Sequence, residues 1–326
     1  MGRPPRAGVR RLSATVASIG QGFRLGQPEQ ALGSAAVTTF KGVITAMVTP
    51  FTADGELDLP GCRRVARFLV ENGSDGLVLA GTTGEAPTLD DDEKLALLRA
   101  VREELGAEAQ LIVGTGSNDT RHSVRATRDA TEAGADAVLI VTPYYNKPNP
   151  AGIRAHMEAC CEATDKPVIA YNIPSRCVIN VPPEDLAAMA ADFPNLVAVK
   201  QANDDELGPI EGLEVLAGND NVFLRALEAG GTGGITVASH IVGPQMQDVA
   251  EAHERGESER AKRLDEELQP IYEVMGVTTN PIPVKTAMEM LGICEAHMRL
   301  PMVPATDAQR DTIRAALEAR GLEVGA

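Results

Sequence analysis

The chain has 326 residues, 44% of them hydrophobic, enough for the core of one large α/β barrel with an extension. Its 30 basic and 46 acidic side chains leave a formal charge of −16, which argues against a nucleic-acid or anionic-membrane partner, since neither attracts an acidic surface. No apolar run approaches the roughly 20 residues of a membrane span.

Residues 1–39 stand apart. Arg3, Arg6, Arg10, Arg11 and Arg24 face one acid, Glu29, among scattered Ser, Gly and Ala. This reads as a disordered leader, with an organelle transit peptide as the alternative. The expected location is the cytoplasm, or a plastid if the leader directs import.

From Val43 onward short apolar runs alternate with helical stretches. "VITAMV" opens as a strand, and a helix follows from Asp58, with Pro60 just inside, to Gly73. "GLVLAG" from Gly76 precedes a helix that Thr88 caps and Gly106 stops. "QLIVGTG" from Gln110 leads into a helix after Thr120 that ends at Gly134, and "AVLIVT" from Ala137 into one that opens with Asn149 and Pro150. Side-chain oxygens satisfy the free N–H groups at such starts, and glycine allows the left-handed turn at the ends. "PVIAYN" from Pro167, "LVAVK" from Leu196, "EVLAG" from Glu214 and "GGITV" from Gly233 complete eight strands. Continuous Val/Ile/Leu runs suit parallel strands buried on both faces.

Eight strand-then-helix units predict an α/β fold, a (β/α)8 TIM barrel over residues 40–256. No G-x-G-x-x-G follows the first strand, as a dinucleotide-binding sheet requires. Beyond the eighth unit only helical spacing remains, including a Thr306-x-x-Gln309 capping box, so residues 257–326 form an all-helical C-terminal extension. The five cysteines lack C-x-x-C spacing and read as buried thiols of a reducing compartment. The five histidines form no H-E-x-x-H, and neither metal nor cofactor is expected.

Barrel chemistry sits at the C-terminal ends of strands. Here those ends carry "GTTGE" (Gly81–Glu85), "TPYYNKP" (Thr142–Pro148), "YNIPSR" (Tyr171–Arg176) and Lys200, which closes "LVAVK". Three of the four tyrosines, Tyr144, Tyr145 and Tyr171, lie at this face. Lysine is rarely buried without a chemical reason. Desolvation lowers its pKa, and a neutral amine attacks a ketone to form a Schiff base. Strand 6 supplies no His or carboxylate, so Tyr171, Thr83 and Tyr145 are the expected proton relay. The "GTTGE" loop offers N–H groups and hydroxyls to one carboxylate, and Arg176 offers its fork to another. The substrates so described are a 2-oxo acid and a partner with its own carboxylate.

These motifs, with "GGTGGITV" and "NPIPVK", resemble the dihydrodipicolinate synthase branch of the N-acetylneuraminate lyase superfamily from about Phe40 to the end. The resemblance implies condensation of pyruvate with L-aspartate 4-semialdehyde, the first committed step of the diaminopimelate route to lysine. By position, Lys200 resembles the Schiff-base lysine, Tyr171 the phenol that moves protons on the bound substrate, and Thr83 and Tyr145 the rest of the relay. Thr82 and Thr83 match the pyruvate-carboxylate loop, Arg176 the residue holding the semialdehyde carboxylate, and Gly218 and Ile235 backbone positions lining the pocket. The resemblance also implies a homotetramer, a dimer of dimers in which Tyr145 enters the neighbouring site.

Two departures stand out. After the lysine the family usually has E-A-[ST]-G-[DN], and here it is "QANDD". Asn118 and Tyr144 match the allosteric pocket of lysine-inhibited relatives, but Ala86, Pro87, Asp91, Lys94 and His122 stand where those have Ser, Ala, His, His and Glu, so lysine inhibition is expected to be weak or absent. The main rival activity is a sister aldolase, an N-acetylneuraminate lyase or a 2-keto-3-deoxy sugar-acid aldolase. Further rivals are a phosphate- or flavin-binding barrel using "GGTGG" and a non-catalytic regulatory barrel.

Overall fold

The computed structural model describes residues 40–325, so the expected leader at 1–39 lies outside the described residues. The chain runs through β1 (Gly42–Ala46), α1 (Leu59–Glu71), β2 (Gly76–Leu79), α2 (Asp91–Leu105), β3 (Gln110–Gly114) and α3 (Thr120–Glu132). It continues through β4 (Ala137–Val141), α4 (Pro150–Cys161), β5 (Val168–Asn172), the short α5 (Pro174–Cys177), α6 (Pro183–Asp192) and β6 (Leu196–Gln201). Then come β7 (Glu214–Ala217), α7 (Phe223–Glu228), β8 (Gly233–Thr236), α8 (Ser239–Glu254), α9 (Ser258–Val274), α10 (Ile282–Met290) and α11 (Asp307–Ala319).

The strands close into one parallel barrel in chain order, and β8 returns to β1 with Val43 opposite Gly234. Side chains alternate between two buried environments. Ile44, Val78, Ile112, Leu139, Ile169 and Leu216 pack together inside the barrel. Their neighbours Val43, Leu77 and Leu111 join the cluster containing Leu69 of α1 and Leu98 of α2. That double burial is why these strands read as continuous apolar runs.

The helix ends follow local chemistry, with two corrections. The Asp58 carboxylate accepts from Gly61 N at 2.9 Å, and Asn149 caps α4. Thr88 does not cap α2. It lies in a 3-10 turn, while Asp90 caps the helix in a reciprocal box with Glu93, because a carboxylate three residues before an acidic side chain satisfies both free donors. Likewise Asp119 caps α3, and Thr120 is its first residue. The box between Thr306 and Gln309 forms as expected.

One expected unit is incomplete. No α-helix joins β6 to β7. That connection carries only a 3-10 turn at Asp204–Glu206 before an isolated bridge between Ile210 and Leu213. Gly208, Pro209 and Gly212 leave too short an uninterrupted stretch for helical hydrogen bonding.

A turn at Gly256, with φ +72°, separates α8 from α9 where the extension is expected to begin. There α9 packs along α8, and α10 packs on α8 and α11. Among the described residues no helix is long and apolar enough to cross a membrane. Four cysteines are buried and Cys294 is partly so; burial pushes the thiols of Cys62, Cys160 and Cys161 up to about 12.

Candidate active site

Lys200 and Tyr171 are register partners on β6 and β5. Direct partners on adjacent parallel strands point to the same face. Each follows an interior residue by two positions, Lys200 after Ala198 and Tyr171 after Ile169, so both rise from the barrel interior at its C-terminal mouth. Lys200 is 5% exposed, and its amine sits 4.5 Å from the centroid of the Tyr171 ring.

Burial drives the electrostatics. It lowers the Lys200 pKa to about 8; Asp220 opposes this shift, and Arg176 reinforces it. Burial raises Tyr171 to about 12 against the pull of Arg176 and Thr82. At neutral pH the site therefore holds a lysine with an appreciable neutral fraction beside a protonated phenol.

A cavity of about 210 Å³ opens over the amine, lined by Lys200, Tyr171, Thr82, Thr83, Arg176 and Gly218. These are six of the eight expected site residues. The other two are elsewhere: Tyr145 is 87% exposed on the loop after β4, and Ile235 is wholly buried in β8 among the interior side chains. Gly218 is at its position because of crowding. A Cβ there would come within 2.6 Å of the Ala202 side chain and 2.7 Å of the Gln201 carbonyl.

Three lining residues escaped the sequence reading. Asp220, beyond β7, is raised by burial and held by Val237 N at 2.7 Å and Ala238 N at 2.9 Å, with Lys200 favouring its ionised form. Strand 6 itself places no His or carboxylate near the lysine, as expected. Asp220 comes instead from the loop after β7, and an acid three residues past a strand end was its only signal. Tyr272, the fourth tyrosine, reaches the cavity from α9, and its buried hydroxyl has no partner among the described residues. Asn280 donates through Nδ2 to Thr83 Oγ1 at 2.9 Å, which leaves the Thr83 proton free to donate elsewhere.

Among the described residues, five non-glycine residues have positive φ: Ala80, Glu85, Tyr145, Lys147 and Val178. All lie in the loops that follow β2, β4 or β5, at the C-terminal end of the barrel, where strained backbone accompanies function. The unusual "QANDD" is tied down by amides. Gln201 Oε1 accepts from Asn172 Nδ2 at 3.0 Å and from Asn203 N at 3.1 Å, and Asn219 Nδ2 donates to Asp204 at 2.7 Å. In "GGTGG", Gly233 permits close packing of β8 on β1, since a Cβ would lie 2.3 Å from the Gly42 carbonyl. Among the described residues no three His, Cys, Asp or Glu side chains gather to hold a metal.

A second cavity, about 730 Å³, adjoins the first across Thr82 and Tyr171 and contains Asn118, Tyr144, Lys94 and His122. Three carboxylates line it, Asp90, Asp91 and Asp119. Asp91 is engaged by His122 at 2.9 Å, Arg125 at 3.2 Å and Lys94 at 3.8 Å, while Asp90 and Asp119 cap the starts of α2 and α3. Burial raises the Asp91 pKa, but the hydrogen bonds from His122 and Arg125 outweigh it and leave a net lowering.

Residues 39–320 match the model of the dihydrodipicolinate synthetase family. The chain is 44% identical over 282 residues to the 4-hydroxy-tetrahydrodipicolinate synthase of Desulforamulus reducens, covering 84% of this chain and 95% of that protein. It is similar to the crystal structure of dihydrodipicolinate synthase from Thermotoga maritima, with TM-score 0.84, 38% identity, and coverage of 87% and 99%. The lysine-bound enzyme from Cyanidioschyzon merolae superposes with TM-score 0.84 at 37% identity, covering 87% of this chain and 99% of that one.

Proposed function

The chain belongs to the dihydrodipicolinate synthetase family and acts as a 4-hydroxy-tetrahydrodipicolinate synthase, and we propose that Lys200 performs the condensation through a Schiff base. The observation that carries this mechanism is the buried, pKa-lowered amine beside the Tyr171 ring. The neutral amine attacks the pyruvate ketone, and loss of water leaves an imine. Deprotonation of the pyruvate methyl group gives an enamine, whose carbon attacks the aldehyde of aspartate semialdehyde. Tyr171 and Thr83 move the protons. Thr82 and Thr83 receive the pyruvate carboxylate, and Arg176 at the cavity edge receives that of the semialdehyde. Gly218 and Ile235 are assigned to the pocket wall through their backbones.

Borohydride reduction in the presence of pyruvate, followed by peptide mapping, tests the mechanism: the label belongs on Lys200. Turnover of pyruvate with semialdehyde, but not with N-acetylmannosamine, separates this activity from the sister aldolases.

We assign Tyr145 to the neighbouring site of a homotetramer. The support is its position, a phenol 87% exposed on left-handed backbone. Sedimentation velocity should give a tetramer, and a monomer active at the same concentration would remove Tyr145 from the relay. The cytoplasm is our assignment for this activity, and import of a fusion carrying residues 1–39 into plastids would overturn it.

Lysine inhibition is expected to be weak or absent. A cationic ligand needs an available carboxylate. Asp91 already has three nitrogen partners, Asp90 and Asp119 are engaged as helix caps, and Lys94 adds repulsion. Calorimetric titration with lysine should give no saturable heat at millimolar concentration, and micromolar binding would refute this reading.

A further inference from the structure

The stretch "NPIPVK" (Asn280–Lys285) has no part in the chemistry above, yet two of its side chains end on the loop Gly81–Glu85. Lys285 on α10 is wholly buried. Its amine donates to Glu85 Oε1 at 2.6 Å and to the His297 carbonyl at 2.7 Å, and lies 4.5 Å from the Phe51 ring centroid. The second Glu85 oxygen accepts from Arg299 N at 3.1 Å. The Arg299 guanidinium also lies 4.5 Å from the Phe51 centroid and forks onto Glu93 at 2.6 and 2.5 Å. Five residues before Lys285, Asn280 donates to Thr83 Oγ1 at 2.9 Å.

A buried ion pair is a poor source of stability, because desolvation of both ions offsets their attraction; its better use is to select one conformation. The conformation selected here is unusual. Glu85 has φ +55°, an arrangement that most side chains avoid, and it lies two residues past Thr83. Fixing both oxygens of its carboxylate fixes that backbone, and with it the direction of the Thr82 and Thr83 N–H groups and hydroxyls. Thr49 Oγ1, donating to the Gly84 carbonyl at 2.7 Å, holds the residue between.

We infer that Lys285 and Asn280 are positioning residues of the active site, through which the C-terminal helical segment holds the loop that receives the substrate carboxylate. This rests on the assignment of Lys200, Thr82 and Thr83 above, and the test separates the two. If pyruvate and borohydride fail to label Lys200 in the unaltered chain, that assignment fails.

If labelling succeeds, the positioning role is read from variants. Lys285→Met alone would strand a buried carboxylate, so the informative variant is Glu85→Gln with Lys285→Met, which removes both charges together. The expected result is a KM for pyruvate raised about tenfold or more, a KM for semialdehyde within threefold, and an unchanged midpoint in the pH profile of Lys200 labelling. A merely structural pair would lower the melting temperature and leave the pyruvate KM within twofold, and that outcome overturns the inference. Should the double variant not fold, Asn280→Ala decides: imine formation slowed about tenfold upholds the role, and a rate within twofold refutes it.

Discussion

Lys200→Met should abolish condensation, lowering kcat/KM by roughly 10⁴-fold or more, while the protein stays folded. Methionine has nearly the same length and shape, so the packing around Ala198 and Tyr171 persists. What disappears is the nucleophile, and with it the penalty of burying an amine. No carbon–nitrogen bond to pyruvate can then form, and borohydride should leave the variant unlabelled. Activity above about 1% of the original would move the chemistry elsewhere. The pH dependence follows from the amine being reactive only when neutral. With the Lys200 pKa at about 8, roughly a tenth is neutral at pH 7, against about 0.03% for an ordinary lysine. Initial labelling rates should therefore rise with pH and level off above about 8. Asp220 favours the charged amine, so Asp220→Asn should move that midpoint to lower pH; an unmoved midpoint would deny Asp220 this influence.

Tyr171→Phe should lower kcat by roughly 10²- to 10³-fold, the usual contribution of a placed proton donor. The ring stays beneath the Lys200 amine, and the interior cluster loses no carbon, so stability changes little. Only the hydroxyl is lost. Burial holds it protonated, with a pKa of about 12, so it can donate to the oxygen that leaves as water, provided that a relay through the loop hydroxyls, Thr82 hydrogen-bonded to the phenol and Thr83 beyond it, restores its proton. Melting temperature and initial-rate kinetics measured together separate this from misfolding. A kcat within threefold in a folded variant would take the phenol out of the proton path.

The barrel was legible because its signals are local. Each strand is buried on both faces and reads as an unbroken apolar run. Asp58, Asn149 and Thr306 announce helix starts through bonds only three residues long. Thr88 misled because Asp90, two residues on, supplies a stronger acceptor. The absent helix between β6 and β7 was missed because rhythm was extrapolated across Gly208, Pro209 and Gly212, residues that forbid it.

In the site the same division holds. Lys200 and Tyr171 were legible since each continues the period-two phase of an interior strand face, and a polar group in that phase needs a chemical reason. By itself, then, the sequence determined which segments are strands, where they end and that Lys200 is buried at a strand end; the burial of Lys285 left no such sign. Tertiary structure alone decided that Asp220 and Tyr272 share its cavity, that Asn280 meets Thr83 across 197 residues of sequence, and that Lys285 meets Glu85 across 200. Periodicity and capping propagate through neighbouring peptide units. Contacts at such separations are set by barrel closure and by the docking of α10, and these leave no mark on the residues nearby.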